Sequence, residues 1–227
     1  MSFVSKITNY WAHSHHRTVV AFAVLGVVVG AASTHLAILG IERSQLTQNT
    51  PQTPATETVS EMREVADPLR LRVPSVGIDT PFSGPLGLNE DQTVEVPEGY
   101  EEVGWYRFGP KPGELGPAVV LGHVDSYQGP AVFWPLQRLR AGDTIEIERV
   151  DGSVGIFVVT HLDQHRQSGF PTEKVYGDID HAGLRLITCS GTFSHGRQEY
   201  SHNLIVYAEL VEDIPAENAT STAAQTE

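Results

Sequence analysis

Residues 184–191 have the sequence LRLITCSG, and this stretch predicts both a β-strand and a reactive side chain. The apolar and β-branched residues from Leu184 to Thr188 are typical of a buried strand, and Ser190-Gly191 is a turn signal. Cys189 therefore stands where the strand is predicted to end and a turn can expose its thiol. It is the only cysteine of the 227 residues, which excludes an internal disulfide and a two-cysteine metal or redox site.

A histidine has a matching position earlier in the chain. Residues 119–121 (VVL) predict a strand, and His123 lies in the segment that leaves it. A cysteine and a histidine at two strand ends are what nucleophilic acyl transfer requires, because the histidine can move protons to and from the thiol and the leaving amine. A plainer alternative stays open, because a lone cysteine is commonly a small buried hydrophobic residue.

Short apolar runs between turn signals predict a domain that is mainly β over residues 68–211. The runs lie at residues 69–73, 117–121, 144–148, 155–160, 184–188 and 204–210. Asp151-Gly152 between two of them predicts a hairpin, and residues 131–138 predict one short helix. Many short strands with few helices favour a sandwich or a barrel, and a closed barrel removes exposed edges.

The N-terminal part of the chain predicts a membrane anchor. Residues 1–17 carry two fixed positive charges and no acidic residue, and residues 18–41 carry no formal charge over 24 positions. A helix of that length is long enough to cross a bilayer, although a cleaved signal peptide and a buried core helix remain alternatives. The positive-inside rule then predicts a cytoplasmic N-terminus and an extracellular domain.

Two further segments are predicted to lack fixed structure. Residues 42–67 are rich in Thr, Gln, Ser, Pro and Glu and are predicted to be a flexible stalk. Residues 212–227 are predicted to be a disordered acidic tail. The net charge of −13 argues against nucleic acid as a partner, because phosphate binding favours a basic face.

Several motifs, in the same order along the chain, resemble those of the sortase family, and in particular the class E and class F sortases of actinobacteria, with class F favoured. The matching stretches are residues 121–126 (LGHVDS), 129–133 (GPAVF), 136–139 (LQRL), 142–143 (GD), 186–191 (LITCSG) and 203–208 (NLIVYA). The resemblance covers nearly the whole predicted domain. It implies an eight-stranded sortase-type β-barrel with one or two short helices, preceded by the transmembrane helix.

The resemblance also implies an activity. Sortases are cysteine transpeptidases that cleave an LPxTG-type sorting signal between Thr and Gly and transfer the protein to an amine of the cell wall. Cys189 would be the nucleophile, His123 the acid/base, and Thr188 a contact to substrate or oxyanion. The implied partners are surface proteins with a C-terminal sorting signal and a cell-wall precursor amine. A binding domain without catalysis and a cysteine peptidase that only hydrolyses are the alternatives.

The third residue of the family's site, an arginine near the start of the last strand, has no direct match here. Arg197 is the only arginine after Cys189 and is the predicted oxyanion donor, with His202 as the alternative. Asp125 is predicted to be a turn residue or a substrate contact. No cofactor is expected. No metal is expected either, because His161 and His165 continue a predicted strand instead of lying on a helix.

Overall fold

Buried and partly exposed side chains alternate along the first strand, residues 68–73, in which Leu71 and Val73 are fully buried and Arg70 and Arg72 are partly exposed.

The computed structural model describes residues 64–223. The strands are β1 (Pro68–Val73), β2 (Ile78–Leu86), β3 (Val103–Tyr106), β4 (Gly116–Gly122), β5 (Asp125–Ser126), β6 (Gly129–Pro130), β7 (Thr144–Arg149), β8 (Val154–Arg166), β9 (Ala182–Ser194) and β10 (Glu199–Ile214). The helices are α1 (Thr172–Tyr176) and α2 (Ala216–Ala223), with 3₁₀ turns at Pro74–Val76, Trp134–Arg138 and Gln167–Gly169.

Eight of these strands close into a barrel in the order β1-β2-β3-β4-β9-β10-β8-β7, which confirms the predicted eight-stranded barrel. The pairs β2–β3 and β4–β9 are parallel, and the others are antiparallel. The predicted hairpin is also confirmed, since β7 and β8 pair from Glu148↔Val154 onward around Asp151-Gly152. The short strands β5 and β6 form a separate ladder between β4 and β7.

The central strands β4, β9 and β10 are buried on both faces. On β9, Leu184 and Leu186 belong to the core inside the barrel, whereas Ile187 and Cys189 belong to a second apolar cluster on the outer face. Helix α1 covers that outer cluster with Val175 and Tyr176. Burial on both faces explains why these strands have continuous apolar runs in place of alternation.

A buried arginine, Arg149, lies at the end of the β8–β10 ladder where Ile214 pairs with Val154. The Arg149 guanidinium is 2% exposed and donates to Asp213 Oδ1 at 2.6 Å, to Ser153 Oγ at 3.1 Å and to the Pro112 carbonyl at 3.3 Å. A buried charge is tolerated when it is paired and hydrogen-bonded in this way.

The C-terminal boundary differs from the prediction of a disordered tail from residue 212. Strand β10 continues to Ile214, because residues 212–214 pair with residues 154–156 of β8 and Asp213 is held by Arg149. Helix α2 follows this strand. The sequence did not predict the end of β10 and helix α2, because residues 212–223 are mostly acidic or small. The contacts that hold the end of β10 come from residues far away in the sequence.

The predicted membrane helix at residues 18–41 lies outside the described residues, as do residues 1–17 and most of the predicted stalk. Within residues 64–223, no helix has both the length and the apolar character needed to span a bilayer.

Candidate active site

Two neighbouring parallel strands bring the predicted histidine and cysteine together. Strands β4 and β9 pair in register up to Leu121↔Ile187, and the Thr188 hydroxyl donates to the Gly122 carbonyl at 2.8 Å. Parallel neighbours stay in step, so His123 and Cys189, each two residues further on, lie side by side. Both residues are 6% exposed. The hydroxyl of Thr188 thus ties the two strand ends together at the site.

The imidazole of His123 is held by the connection between β2 and β3. Its Nε2 lies 2.8 Å from the Pro97 carbonyl oxygen, and because a carbonyl only accepts, Nε2 carries a proton. The ring also packs against Tyr100, with 4.7 Å between centroids. These contacts fix the orientation of the histidine.

The segment after His123 folds back and is pinned by the GPAVF motif. The amide of Ala131 donates to the Val124 carbonyl at 3.0 Å, and the amide of Phe133 donates to the His123 carbonyl at 2.9 Å. The motif therefore stabilises the histidine loop through backbone hydrogen bonds.

Burial raises the pKa of the Cys189 thiol to about 12, and the nearby Asp125 carboxylate raises it further in the same direction. At neutral pH the resting side chain is therefore a protonated thiol. The same carboxylate accepts a hydrogen bond from the Tyr200 hydroxyl, whose pKa is also raised by burial and by this bond. A thiolate forms here only when the thiol loses its proton to a base, and the strand register places the His123 imidazole beside Cys189.

The strand that carries Cys189 does not end there, which differs from the predicted turn at Ser190-Gly191. Strand β9 continues to Ser194, and Gly191 has φ +78°. Between two paired positions β9 has one residue more than β10, so Gly191 forms a β-bulge. A Cβ at this position would lie 2.5 Å from Ser201 Oγ, which explains the need for glycine. The thiol is consequently buried in the strand.

The strand register pairs neither of the two predicted oxyanion donors with Cys189. Arg197 lies in the turn between β9 and β10, its side chain is 71% exposed, and its Nε is 2.5 Å from Glu199 Oε1. His202 pairs with Ser190 in the register, and its Nδ1 contacts Ser201 Oγ at 2.7 Å. Among the described residues, the cavity that borders Cys189 is lined by neither of them, nor by Asn203, the strand neighbour of His202.

A residue that the sequence analysis did not single out lies directly across from Cys189. Asn203 on β10 pairs with Cys189 on β9 and is 0% exposed. Within the described part of the chain, neither its Oδ1 nor its Nδ2 has a hydrogen-bond partner. An unpaired buried polar group typically costs about 1–3 kcal/mol. Asparagine is depleted in strands, so its place before the apolar run LIVYA was the available signal.

A cavity of about 440 Å³ opens beside Cys189. Its apolar walls include Phe133, Trp134 and Leu162, and Asp163 adds a carboxylate. The cavity also borders Thr188 and Tyr200. It is large enough to receive part of a peptide next to the thiol.

His161 and His165, the two histidines considered as metal ligands in the sequence, lie on strand β8. The Nε2 atoms of His161 and His165 are 3.9 and 3.5 Å from Asp163 Oδ2. No group of three His, Cys, Asp or Glu side chains suited to a metal ion occurs in residues 64–223.

Known proteins resemble this chain in sequence and in structure. Residues 71–211 match the sortase domain family, whereas no curated protein sequence matches the chain. Sortase A of Listeria monocytogenes is similar in structure, with 18% identity and a TM-score of 0.50 over 66% of this chain and 91% of that one. A lid mutant of sortase A from Corynebacterium diphtheriae has 20% identity and a TM-score of 0.51 over 67% of this chain and 75% of that one. At this identity the structures show likeness of fold.

Proposed function

This chain belongs to the sortase family, and from that premise we propose that it is a cysteine transpeptidase acting on LPxTG-type sorting signals. The observation that carries the proposal is the parallel register of β4 and β9, which sets His123 beside Cys189. The cavity that Cys189 borders gives a peptide access to the thiol.

The reaction we propose has two halves. The Cys189 thiol transfers its proton to His123, and the sulfur attacks the carbonyl carbon between Thr and Gly of the signal. The tetrahedral intermediate collapses to a thioester as the C–N bond breaks, and His123 returns the proton to the departing amine. An acceptor amine then attacks the thioester carbonyl and loses a proton to His123. The C–S bond breaks as the new C–N bond is kept, and the departing sulfur takes the proton from His123 to restore the Cys189 thiol.

The finer assignments rest on sequence alone. The HVDS and GPAVF wording supports class F, and the apolar segment 18–41 supports a single-pass membrane protein with its catalytic domain outside the cell. We propose surface proteins with a C-terminal sorting signal as donors and a cell-wall precursor amine as the acceptor. Arg197 as oxyanion donor stays a prediction, with His202 as its alternative.

Mass spectrometry of the purified full chain in detergent tests the activity. With a panel of sorting-signal peptides, we expect an acyl adduct on Cys189 that is absent in Cys189→Ala. Adding triglycine should convert the adduct to a ligated peptide.

The two alternatives give different results in the same experiment. Accumulation of free acid in the presence of excess triglycine would show a peptidase that hydrolyses. If no peptide of the panel acylated Cys189, a binding domain without catalysis would be favoured.

A further inference from the structure

Four neighbouring strands place four polar side chains in one row across the outer face of the barrel. The sheet order is β4-β9-β10-β8, and Asn203 is paired with Cys189 on one side and with His165 on the other. His123 follows the end of β4 on the other side of the thiol. Residues paired across antiparallel strands have side chains on the same face, with Cβ atoms about 4.5–5.5 Å apart. The Asn203 amide therefore lies on the same face as the sulfur and beside it.

The packing around Asn203 supports this orientation. Ile205 and Tyr207, which alternate with Asn203 along β10, share the outer apolar cluster with Cys189. The next residues, Leu204 and Val206, pack with the core inside the barrel. Asn203 thus directs its amide into an apolar environment that contains the nucleophile.

Within the part of the chain that the structure describes, the Asn203 amide has N–H donors that are free to bind a negative charge formed beside Cys189 during a reaction. Its Nδ2 and Oδ1 have no hydrogen-bond partner among the described residues and are closed to solvent. Buried polar groups are nearly always paired, so an orphaned one calls for an explanation. A preorganised donor that is unused in the resting state and becomes paired in the transition state is the arrangement that accelerates acyl transfer.

We propose that Asn203 is a catalytic residue that donates an Nδ2–H hydrogen bond to the oxyanion of the tetrahedral intermediate at Cys189. The inference rests on the proposed transpeptidase function and names the group that stabilises its intermediate. As the sulfur–carbon bond forms, the carbonyl π electrons move onto oxygen, which accepts the Asn203 hydrogen bond. When the C–N bond breaks, those electrons return to the carbonyl, and the leaving amine takes the proton held by His123.

The geometry favours Asn203 over the two residues that the sequence predicted for this role. Arg197 is exposed in the β9–β10 turn with its guanidinium paired to Glu199. His202 pairs with Ser190, whereas Asn203 pairs with Cys189 itself. A neutral amide also suits a buried site better than an unpaired cation, since it carries a much smaller desolvation penalty.

The test compares two reactions of the same thiol in the full-length protein. Acylation by a sorting peptide passes through an oxyanion, whereas alkylation by iodoacetamide is a direct displacement at carbon that forms none. In Asn203→Leu, which keeps the branched shape of the side chain but is larger and lacks the donor, we expect acylation to slow about 100-fold or more. Alkylation should stay near the wild-type rate, and the variant should remain folded, because the gain from removing an unpaired buried amide offsets the cost of the larger side chain.

Tyr207→Phe is the matched control. Its hydroxyl is also buried and unpaired in the described residues and lies on the same face of β10, four residues from Asn203. The ring that stacks on His161 is retained in this variant. We expect acylation at the wild-type rate.

Three outcomes would overturn the proposal. They are acylation of Asn203→Leu at the wild-type rate, equal slowing of acylation and alkylation, and loss of the fold in both Asn203→Leu and Asn203→Ala. Equal slowing would show that the amide acts on the thiol itself, and loss of the fold would show a structural role. A wild-type protein that no sorting peptide acylates would instead contradict the proposed function, which separates the two failures.

Discussion

The two ends of the β8–β10 ladder bury polar groups in opposite ways. At one end, Arg149 has its charge and its donors matched by Asp213, Ser153 and the Pro112 carbonyl. At the other end, Cys189 has a raised pKa and Asn203 has an amide without a partner in the described residues. The first arrangement stabilises the fold, and we propose that the second holds groups ready for a reaction. Substitutions at the two ends should therefore change different observables.

Removing the nucleophile should have the largest effect on activity. Cys189→Ala should abolish transfer, and His123→Ala should nearly abolish it, because each removes a group that bonds to or exchanges protons with the substrate. Product formation with a sorting peptide and triglycine measures this loss. Circular dichroism should show both variants folded. Transfer by Cys189→Ala would exclude the thiol as the nucleophile.

Removing the buried guanidinium should have the largest effect on stability. Arg149→Met should lower the free energy of unfolding by about 2–3 kcal/mol, because Ser153, Asp213 and the Pro112 carbonyl lose their shared donor. Urea unfolding measures this change. Transfer per folded molecule should equal that of the wild type. Lost transfer without lost stability would mean that the two ends are not separate in function.

Neutralising the carboxylate beside the thiol should give a moderate effect in the opposite direction. Burial is the main cause of the raised Cys189 pKa, and Asp125 adds to it, so Asp125→Asn should lower that pKa. Thiolate becomes more abundant but less nucleophilic as its pKa falls, so iodoacetamide alkylation at pH 8 should quicken by only about threefold. Slower alkylation in Asp125→Asn would show that the carboxylate assists the thiol.

Truncating the exposed arginine should have the smallest effect. Arg197 makes its ion pair with Glu199 at the surface, and such pairs contribute about 0–1 kcal/mol. From this position we expect Arg197→Ala to acylate at close to the wild-type rate. If the acylation rate fell about 100-fold, the amount expected for an oxyanion donor, the role that the sequence predicted for Arg197 would be supported. The side chain would then have to leave its surface position during the reaction.

The barrel could be predicted because most of its strands are marked by short apolar or alternating runs that recur along the chain. Residues 69–73 and 144–148 alternate, Asp151-Gly152 forms the predicted hairpin, and the apolar runs all became strands. Strands β2 and β3 were not predicted, since Pro81, Gly84 and Pro85 interrupt the pattern of β2 and only four residues form β3.

The site was only partly predictable, because it depends on register. The motifs singled out Cys189 and His123, and their strands are neighbours in the barrel. Which residue of β10 faces the thiol depends on the bulge at Gly191, which shifts the pairing by one position. Counting along the sequence led to the prediction of Arg197 or His202, whereas the pairing of the strands is the basis for proposing Asn203.

The parallel pairing of β4 and β9 also links the reactivity of the thiol to folding. The hydrogen bond from Thr188 to Gly122 joins residues 66 positions apart, and contacts of such long range form late because the loop must close first. Until they form, Cys189 is solvated, with the ordinary thiol pKa of about 8.5. An unfolded chain should thus be alkylated faster at neutral pH than the folded barrel, and the slowing of alkylation during refolding would measure when Cys189 and His123 come together.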